Sequence, residues 1–323
     1  MVKRTIIGLF AALLFLSIIP KAQAQLKCSL QGLDGPVSVL VAAGSTWAVG
    51  FNNNMVSNLN NTKAQEGVCM GGGTTVSTGL SNPWGLTYDG TYIWVSNYGN
   101  GTVVKFNPAN GDIAGTYSSY GTGPKGITWD GAHIWVVNST SDTVVEINPS
   151  NGDEVASYTI TSNGWDAAFD GTNVWVTSGG NDTITVINTV TSSHYTITDS
   201  GCGPGWEAFD GTHMWVGCYD SKSVRGYNVS NGSLYAAVGA TGHAGVEGLV
   251  YIPPCCTGTA QPTIAGITWN GSVFAFNPSS PPADATFYGQ ITDSPNCYGL
   301  AYIGDDYYWA ANWNQNYLQV LYF

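Results

Sequence analysis

Short runs in which apolar and polar residues alternate follow one another along most of the chain, and Gly, Asn and Asp separate them. The stretch "ITWDGAHIWVVN" at 127–138 is typical, with two β-branched and aromatic runs on either side of Asp130-Gly131. Alternation with a period of two predicts half-buried strands, and an Asp-Gly pair between two such runs predicts a tight hairpin turn. The pattern therefore predicts an all-β protein built from antiparallel hairpins.

The same hairpin recurs at a nearly constant spacing. An Asp-Gly pair followed by an apolar residue, Trp and Val begins at Asp89, Asp130, Asp170 and Asp210, in steps of 41, 40 and 40 residues. A second hairpin follows, since "NGTVVKFNPANGDIAGTY" at 100–117 matches "SDTVVEINPSNGDEVASY" at 141–158. One repeat unit therefore has four short strands, A to D, which is the composition of a propeller blade.

Weaker copies extend the repeat in both directions. Trp47 marks one copy, 248–252 and 270–278 bracket another around an insertion at 253–262, and 299–313 begin the last. About seven repeats of 40–47 residues predict one domain over 25–323, a seven-bladed β-propeller of four-stranded antiparallel blades. The strand B tryptophans are expected between blades. The last repeat lacks an outer strand, and residues 26–33 would supply it and close the ring.

These motifs resemble the YVTN-type repeat of bacterial propellers, in which "P-x-G-I-T-x-D-G-x-x-[IV]-W-V-x-N" precedes "N-T-V-x-x-I-N". The resemblance covers about four units well and three loosely. The virginiamycin B lyase family is related, with similar seven-bladed units. The resemblance implies the propeller architecture, and it implies no single function because such propellers serve many roles.

The first 24 residues have the pattern of a Sec signal peptide. Lys3 and Arg4 precede an apolar run at 6–19, and Ala22-Gln23-Ala24 resembles a cleavage site. The run is too short for a stable membrane span. We expect a bacterial protein that is secreted or periplasmic, with no membrane span, and that is a monomer.

The charge balance restricts the partners. Without the signal peptide, six basic and 21 acidic residues remain, so the mature chain has a formal net charge of −15. A nucleic-acid partner is not expected, because phosphate binding requires a positive surface. The expected partners are a small-molecule or glycan ligand, or another protein.

Seven cysteines in an exported chain indicate disulfide bonds. Cys202 precedes one strand A and Cys218 ends the following strand B, so both fall on one face of one blade and are predicted to pair. The pairing of the other five is left open: Cys28, Cys69, Cys255, Cys256 and Cys297.

The predicted ligand site lies where the A strands begin, around the mouth of the central channel. Aromatic and charged residues recur at this position, and the candidate ligand-binding residues are Trp84, Lys125, Trp165, Asp166, Trp206, Glu207, Glu247 and Tyr298. Aromatic faces beside polar groups suit a neutral or carbohydrate-like ligand. The alternative is that the tryptophans only fill a narrow channel.

Enzymatic functions have weaker support. The lyase resemblance implies catalytic histidines in Pro-His-[Ala/Gly]-Ile at the start of strand A, but the matching segments here contain no His, which leaves only His243 with Glu247. A lactonase-like hydrolase would need a metal, for which Asp166, Glu207 and Glu247 could bind Ca²⁺; otherwise no cofactor is expected. A structural cell-surface protein is the third alternative.

Overall fold

A computed structural model describes residues 25–31, 36–42, 45–59, 71–240, 244–254, 261–290, 297–304, 307–312 and 317–322. The predicted signal peptide lies outside the described residues. The fold is an all-β propeller of four-stranded antiparallel blades. In the described ranges the helical structure is a single 3₁₀ turn, Gly179–Asn181, and none of it has the length and hydropathy required to span a bilayer.

Every blade places its first strand at the axis and its fourth at the rim. After β1 (Gln25–Gln31), blade I contains β2 (Pro36–Ala42), β3 (Ser45–Gly50), β4 (Met55–Leu59) and β5 (Gly71–Val76). Blade II contains β6 (Pro83–Tyr88), β7 (Ile93–Asn97), β8 (Thr102–Phe106) and β9 (Ile113–Ser118). Blade III contains β10 (Pro124–Trp129), β11 (Ile134–Asn138), β12 (Thr143–Ile147) and β13 (Glu154–Thr159).

The next three blades repeat this order. Blade IV contains β14 (Gly164–Phe169), β15 (Asn173–Ser178), β16 (Thr183–Asn188) and β17 (His194–Thr198). Blade V contains β18 (Pro204–Phe209), β19 (His213–Cys218), β20 (Ser223–Asn228) and β21 (Leu234–Gly239). Blade VI contains β22 (Val246–Ile252), β23 (Thr263–Thr268), β24 (Ser272–Phe276) and β25 (Thr286–Gln290).

The predicted count of seven blades requires a correction. Six blades, I to VI, are each built from four consecutive strands, whereas the last repeat is not. Its strands β26 (Cys297–Gly304), β27 (Tyr307–Asn312) and β28 (Tyr317–Tyr322) instead form a composite sheet with β1, in the order β1-β28-β27-β26. We call it the closing sheet. Its inner strand β26 contacts both β22 and β2, so it lies between blades VI and I.

The Asp-Gly turns have a structural function that the sequence pattern did not reveal. In blades II to V, one carboxylate oxygen of the turn aspartate accepts a hydrogen bond from the strand B indole five residues later; the pairs are Asp89–Trp94 (2.8 Å), Asp130–Trp135 (2.8 Å), Asp170–Trp175 (2.7 Å) and Asp210–Trp215 (2.7 Å). The other oxygen accepts two backbone N–H groups of the turn, as at Asp170. We call this arrangement the Asp–Trp clasp.

The clasped tryptophans pack between blades. Trp175 contacts Tyr227 of blade V at 6.3 Å between ring centroids, and Trp215 contacts Phe276 of blade VI at 5.0 Å. The strand B tryptophans that are described are fully buried: Trp47, Trp94, Trp135, Trp175 and Trp215. Burying one indole contributes on the order of 2–3 kcal/mol, so these contacts are a large part of blade stacking.

Candidate functional site

A β-bulge at the start of strand A shapes the channel mouth. In blades II to V, strand A has one residue more than strand B between two successive pairs. In blade III these pairs are Pro124–Asn138 and Ile127–Val136. A bulge bends the strand and redirects its side chains, here beside the central channel. Glycine in the bulge lets the inner strands of blades III and IV approach closely. A Cβ on Gly126 would lie only 2.6 Å from the Asp166 Cα.

The pairing of strands A and B shows that one pair of residues in blades IV and V, which the repeat had predicted to be equivalent, is not equivalent. The repeat pattern predicts that Trp206 is equivalent to Trp165, but Pro204 pairs with Cys218 where Gly164 pairs with Ser178. Trp206 therefore corresponds to Asp166, and Glu207 lies one residue deeper in the channel. The sequence concealed this shift because "GWDA" and "GWEA" look alike while their distances to the following Asp-Gly turn differ by one residue.

One half of the mouth is filled by a cation and aromatic rings. The Lys125 Nζ lies 4.0 Å from the ring centroid of Trp165 and 5.0 Å from that of Trp84, and the two indoles meet at 86° with centroids 5.5 Å apart. Burial lowers the pKa of Lys125 to about 8. Lys125 forms no ion pair within the described ranges, so ring faces stabilise its charge. In this half, Trp84 and Trp165 pack against Lys125 and against each other.

The other half contains an open pocket, which we call the mouth pocket. Its volume is about 330 Å³, and four aromatic side chains line it: Trp165, Tyr219, Trp269 and Tyr298. Glu247, Asp220 and the backbone at 203–205 complete the wall. Three of the predicted ligand-binding residues, Trp165, Glu247 and Tyr298, are thus brought together.

Glu247 is the buried charge of the mouth pocket. Only 6% of this residue is exposed, and its Oε2 accepts a hydrogen bond of 3.1 Å from the Trp206 indole. Burial raises the pKa of Glu247 to about 7, and the indole hydrogen bond partly opposes this rise. Burial and the neighbouring Glu247 charge also raise the pKa of Tyr219 and Tyr298. The pocket therefore contains a carboxyl group that titrates near neutral pH.

Below the mouth pocket, Asp166, Trp206 and Glu207 line a second space, the axial cavity, of about 410 Å³. Both carboxyl oxygens of Glu207 are shielded from solvent and have no hydrogen-bond partner among the described residues. Burial, and then the charge of Asp166, raise the pKa of Glu207 well above its ordinary value. Burial raises the pKa of Asp166 to about 7, although backbone hydrogen bonds from Ala167 and Glu207 act to lower it. The cavity thus favours protonated carboxyl groups.

The structure does not form the predicted three-carboxylate calcium site. Among the described residues, Asp166, Glu207 and Glu247 are not a group whose oxygens all lie within 4.8 Å of one another. Asp166 and Glu207 line the axial cavity, whereas Glu247 lines the mouth pocket, and the Trp206 indole binds Glu247 from the cavity side. The bulge shift explains the separation. His243, the candidate catalytic histidine, lies outside the described residues.

A different cluster lies at the Asp-Gly turn of blade III. Atoms of Asp130, His133 and Glu146 lie within 4.8 Å of one another, and the His133 Nδ1 is 2.7 Å from the Glu146 Oε1. Asp130 already forms the Asp–Trp clasp with Trp135, and His133 is the partner of the buried Glu146. These contacts give all three residues a structural role within blade III.

The predicted disulfide bond between Cys202 and Cys218 is present, with a Cα–Cα distance of 4.7 Å. It connects the segment before β18 with the end of β19. Beside it, the backbone N–H groups of Tyr219 and Asp220 donate to the carbonyl oxygens of Gly203 and Cys202, both at 3.0 Å. The bond therefore anchors a loop that lines the mouth pocket.

Sequence reasoning did not identify Trp269. Its blade lacks both the Asp-Gly pair and the strand B tryptophan, from which positions in the other blades are counted. Trp269 follows β23 and meets the rings of Tyr219 and Tyr298 nearly at right angles. Trp269 directly follows strand B, as Tyr98 and Tyr219 do in blades II and V, so the available signal was an aromatic residue just before the segment 270–278.

Comparisons with known proteins support the fold. No protein-family model matches the chain, and no curated protein matches its sequence. The structure is similar to virginiamycin B lyase from Staphylococcus aureus, with a TM-score of 0.70, 16% identity, and coverage of 93% of this chain and 99% of the lyase. It is also similar to the WD40 β-propeller domain of Doa1, with a TM-score of 0.73, 12% identity, and coverage of 92% and 96%. At these identities the likeness shows the β-propeller architecture alone.

Proposed function

We propose that this protein is an exported binding module whose ligand occupies the mouth pocket. The observation that supports this most directly is the set of four aromatic side chains, drawn from blades IV, V and VI and from the closing sheet, around about 330 Å³ of open space. That volume is in the range of small-molecule sites, and apolar walls with a few polar groups are typical of them. A small molecule or a glycan end with an apolar face is the ligand class that fits.

Replacement of Trp269 tests this proposal. Against a panel of monosaccharides, oligosaccharides and small amines, calorimetry on the mature protein should find a ligand whose affinity falls at least about tenfold in Trp269→Ala. Trp129→Leu is the matched control, because Trp129 lines the axial cavity instead. If no compound of the panel binds, or if both variants bind like wild type, the mouth pocket is not a binding site. A structural cell-surface function would then be preferred.

A second candidate function is acid–base catalysis in the axial cavity, as in a lyase-like enzyme. The supporting observation is the pair Asp166 and Glu207, whose raised pKa values make protonated carboxyl groups available near neutral pH. Incubation with a streptogramin such as virginiamycin B, or with lactones, tests it with and without a divalent cation. Turnover that Glu207→Gln abolishes would support catalysis, and its absence would leave the binding function.

A further inference from the structure

The rings of the mouth pocket form a box instead of a flat platform. Trp269 meets Tyr219 at an interplanar angle of 81° with centroids 6.3 Å apart, and Tyr298 at 88° and 5.3 Å. Trp165 of blade IV lines the same pocket. A sugar ring stacks on one exposed face, whereas mutually perpendicular rings present several faces to one small, rounded group.

The charged groups of the mouth pocket all have the same sign. Among the residues that the structure describes, its lining includes the carboxyl groups of Glu247 and Asp220 and no lysine, arginine or histidine. Lys125 contacts the Trp165 ring, but it is not part of the lining. A buried carboxylate is costly unless a cation or several hydrogen bonds accompany it. The Trp206 indole supplies one hydrogen bond to Glu247, and none of the described residues that line the pocket is a cation.

Resting on the proposed binding function, we infer that the mouth pocket takes a ligand with an alkylated ammonium group. The methyl groups would contact the faces of Trp165, Tyr219, Trp269 and Tyr298, and the positive charge would lie beside Glu247. Aromatic faces attract such cations through their quadrupoles, and a nearby carboxylate adds a full charge. The net charge of −12 over the whole sequence further favours the approach of a cation.

Ligand binding should depend on pH through Glu247. The groups around its carboxyl are the Trp206 indole, the Tyr219 and Tyr298 hydroxyls and the Asp220 carboxylate, with Lys125 behind Trp165. Because the pKa of Glu247 is raised to about 7, most Glu247 carboxyl groups are protonated at pH 6 before a ligand binds. A cationic ligand binds the ionised form of Glu247. Binding should therefore release a proton from this carboxyl group, and the affinity should weaken as the pH falls from 7.5 to 5.5.

Choline and its uncharged isostere 3,3-dimethylbutan-1-ol are the decisive probes, since they share shape and differ in charge. Calorimetry on the mature, disulfide-bonded protein at pH 7.5 should give choline an affinity at least about tenfold above that of the isostere. Glu247→Gln should lower choline affinity at least about tenfold and leave the isostere unchanged. The unchanged isostere also shows that the variant has folded. Glu154→Gln makes the same change of charge at an exposed position of strand β13, and it should change neither the choline affinity nor the isostere affinity.

The outcomes separate the two proposals. If the isostere or a sugar binds as well as choline, and Trp269→Ala weakens that binding, the ammonium inference is wrong and the mouth pocket remains a binding site. If choline binds but Glu247→Gln does not weaken it, the assigned ion pair is wrong. If choline, the isostere and the sugars all fail to bind to the folded wild type, both proposals are overturned.

Discussion

At the scale of single residues, the Asp–Trp clasp explains why the Asp-Gly turn recurs with tryptophan. Asp-Gly is an ordinary hairpin turn, and sequence reasoning treated it as one. In the structure its carboxylate also satisfies a buried indole N–H, which would otherwise cost about 1–3 kcal/mol. Blade I illustrates the difference: Ala42 takes the place of the aspartate in the sequence, and the buried Trp47 Nε1 has no hydrogen-bond partner.

Removing one clasp should destabilise the fold because buried donors lose their acceptors. In Asp170→Ala, the Trp175 indole and two turn N–H groups lose their acceptors, so the free energy of unfolding should fall by about 2–3 kcal/mol. Urea denaturation followed by tryptophan fluorescence measures this. Asp112→Ala, in an exposed turn, is the control and should change stability by less than about 0.5 kcal/mol. Equal effects of both substitutions would contradict a structural role for the clasp.

At the scale of elements, the disulfide bond joins two strand ends of blade V beside the mouth pocket. The cysteines are 16 residues apart, and closing a loop of this size constrains the unfolded chain by about 3 kcal/mol. The bond also limits the positions open to Tyr219 and Asp220, whose backbone it anchors. One covalent bond therefore contributes both to stability and to the preorganisation of the pocket.

The double variant Cys202→Ala with Cys218→Ala should accordingly show two losses. Its midpoint of urea denaturation should decrease by an amount equivalent to about 3 kcal/mol, and its affinity for the ligand found with the wild type should fall. Chemical reduction of the disulfide bond in the wild-type protein allows the same two measurements without any substitution. Unchanged affinity in a destabilised variant would limit the bond to a purely structural role.

At the scale of the whole molecule, the buried carboxyl groups should make stability depend on pH. The folded-state pKa values of Asp166 and Glu247 are raised from 3.8 and 4.5 to about 7, and burial raises that of Glu207 well above 4.5. A raised pKa contributes stability that is complete below the unfolded-state value and is lost as the pH rises through the folded-state value. The free energy of unfolding should therefore decrease between about pH 4 and pH 8.

Glu207→Gln tests this dependence. It removes a charge that has no hydrogen-bond partner in the part of the chain that the structure describes, so it should raise the free energy of unfolding at pH 8 by about 1–3 kcal/mol and change little at pH 4. Urea denaturation at one-unit pH intervals gives the profile. Glu154→Gln should keep the wild-type slope. A Glu207→Gln profile parallel to the wild type would contradict the assignment.

The sequence predicted the propeller because hairpin chemistry and the spacing of Trp94, Trp135, Trp175 and Trp215 depend on local residues and their period. It also located the channel mouth, since strand A begins at a recognisable place in each unit. It could not predict which candidates share a space, because a one-residue shift at the blade V bulge places Glu207 below Glu247. Trp269 was missed because blade VI lacks both the Asp-Gly pair and the strand B tryptophan, from which positions in the other blades are counted.

The antiparallel pairing of β1 with β28 also determines how the molecule responds to mechanical force. Gln25 lies opposite Tyr322, while Gln31 lies opposite Tyr317, so the outer ends of the two strands leave the sheet at the same point. A pulling force applied between these ends would load the hydrogen bonds one after another, as in unzipping, instead of shearing them together. The ring would consequently open at its seam under a small tension, and the six continuous blades would unravel only afterwards.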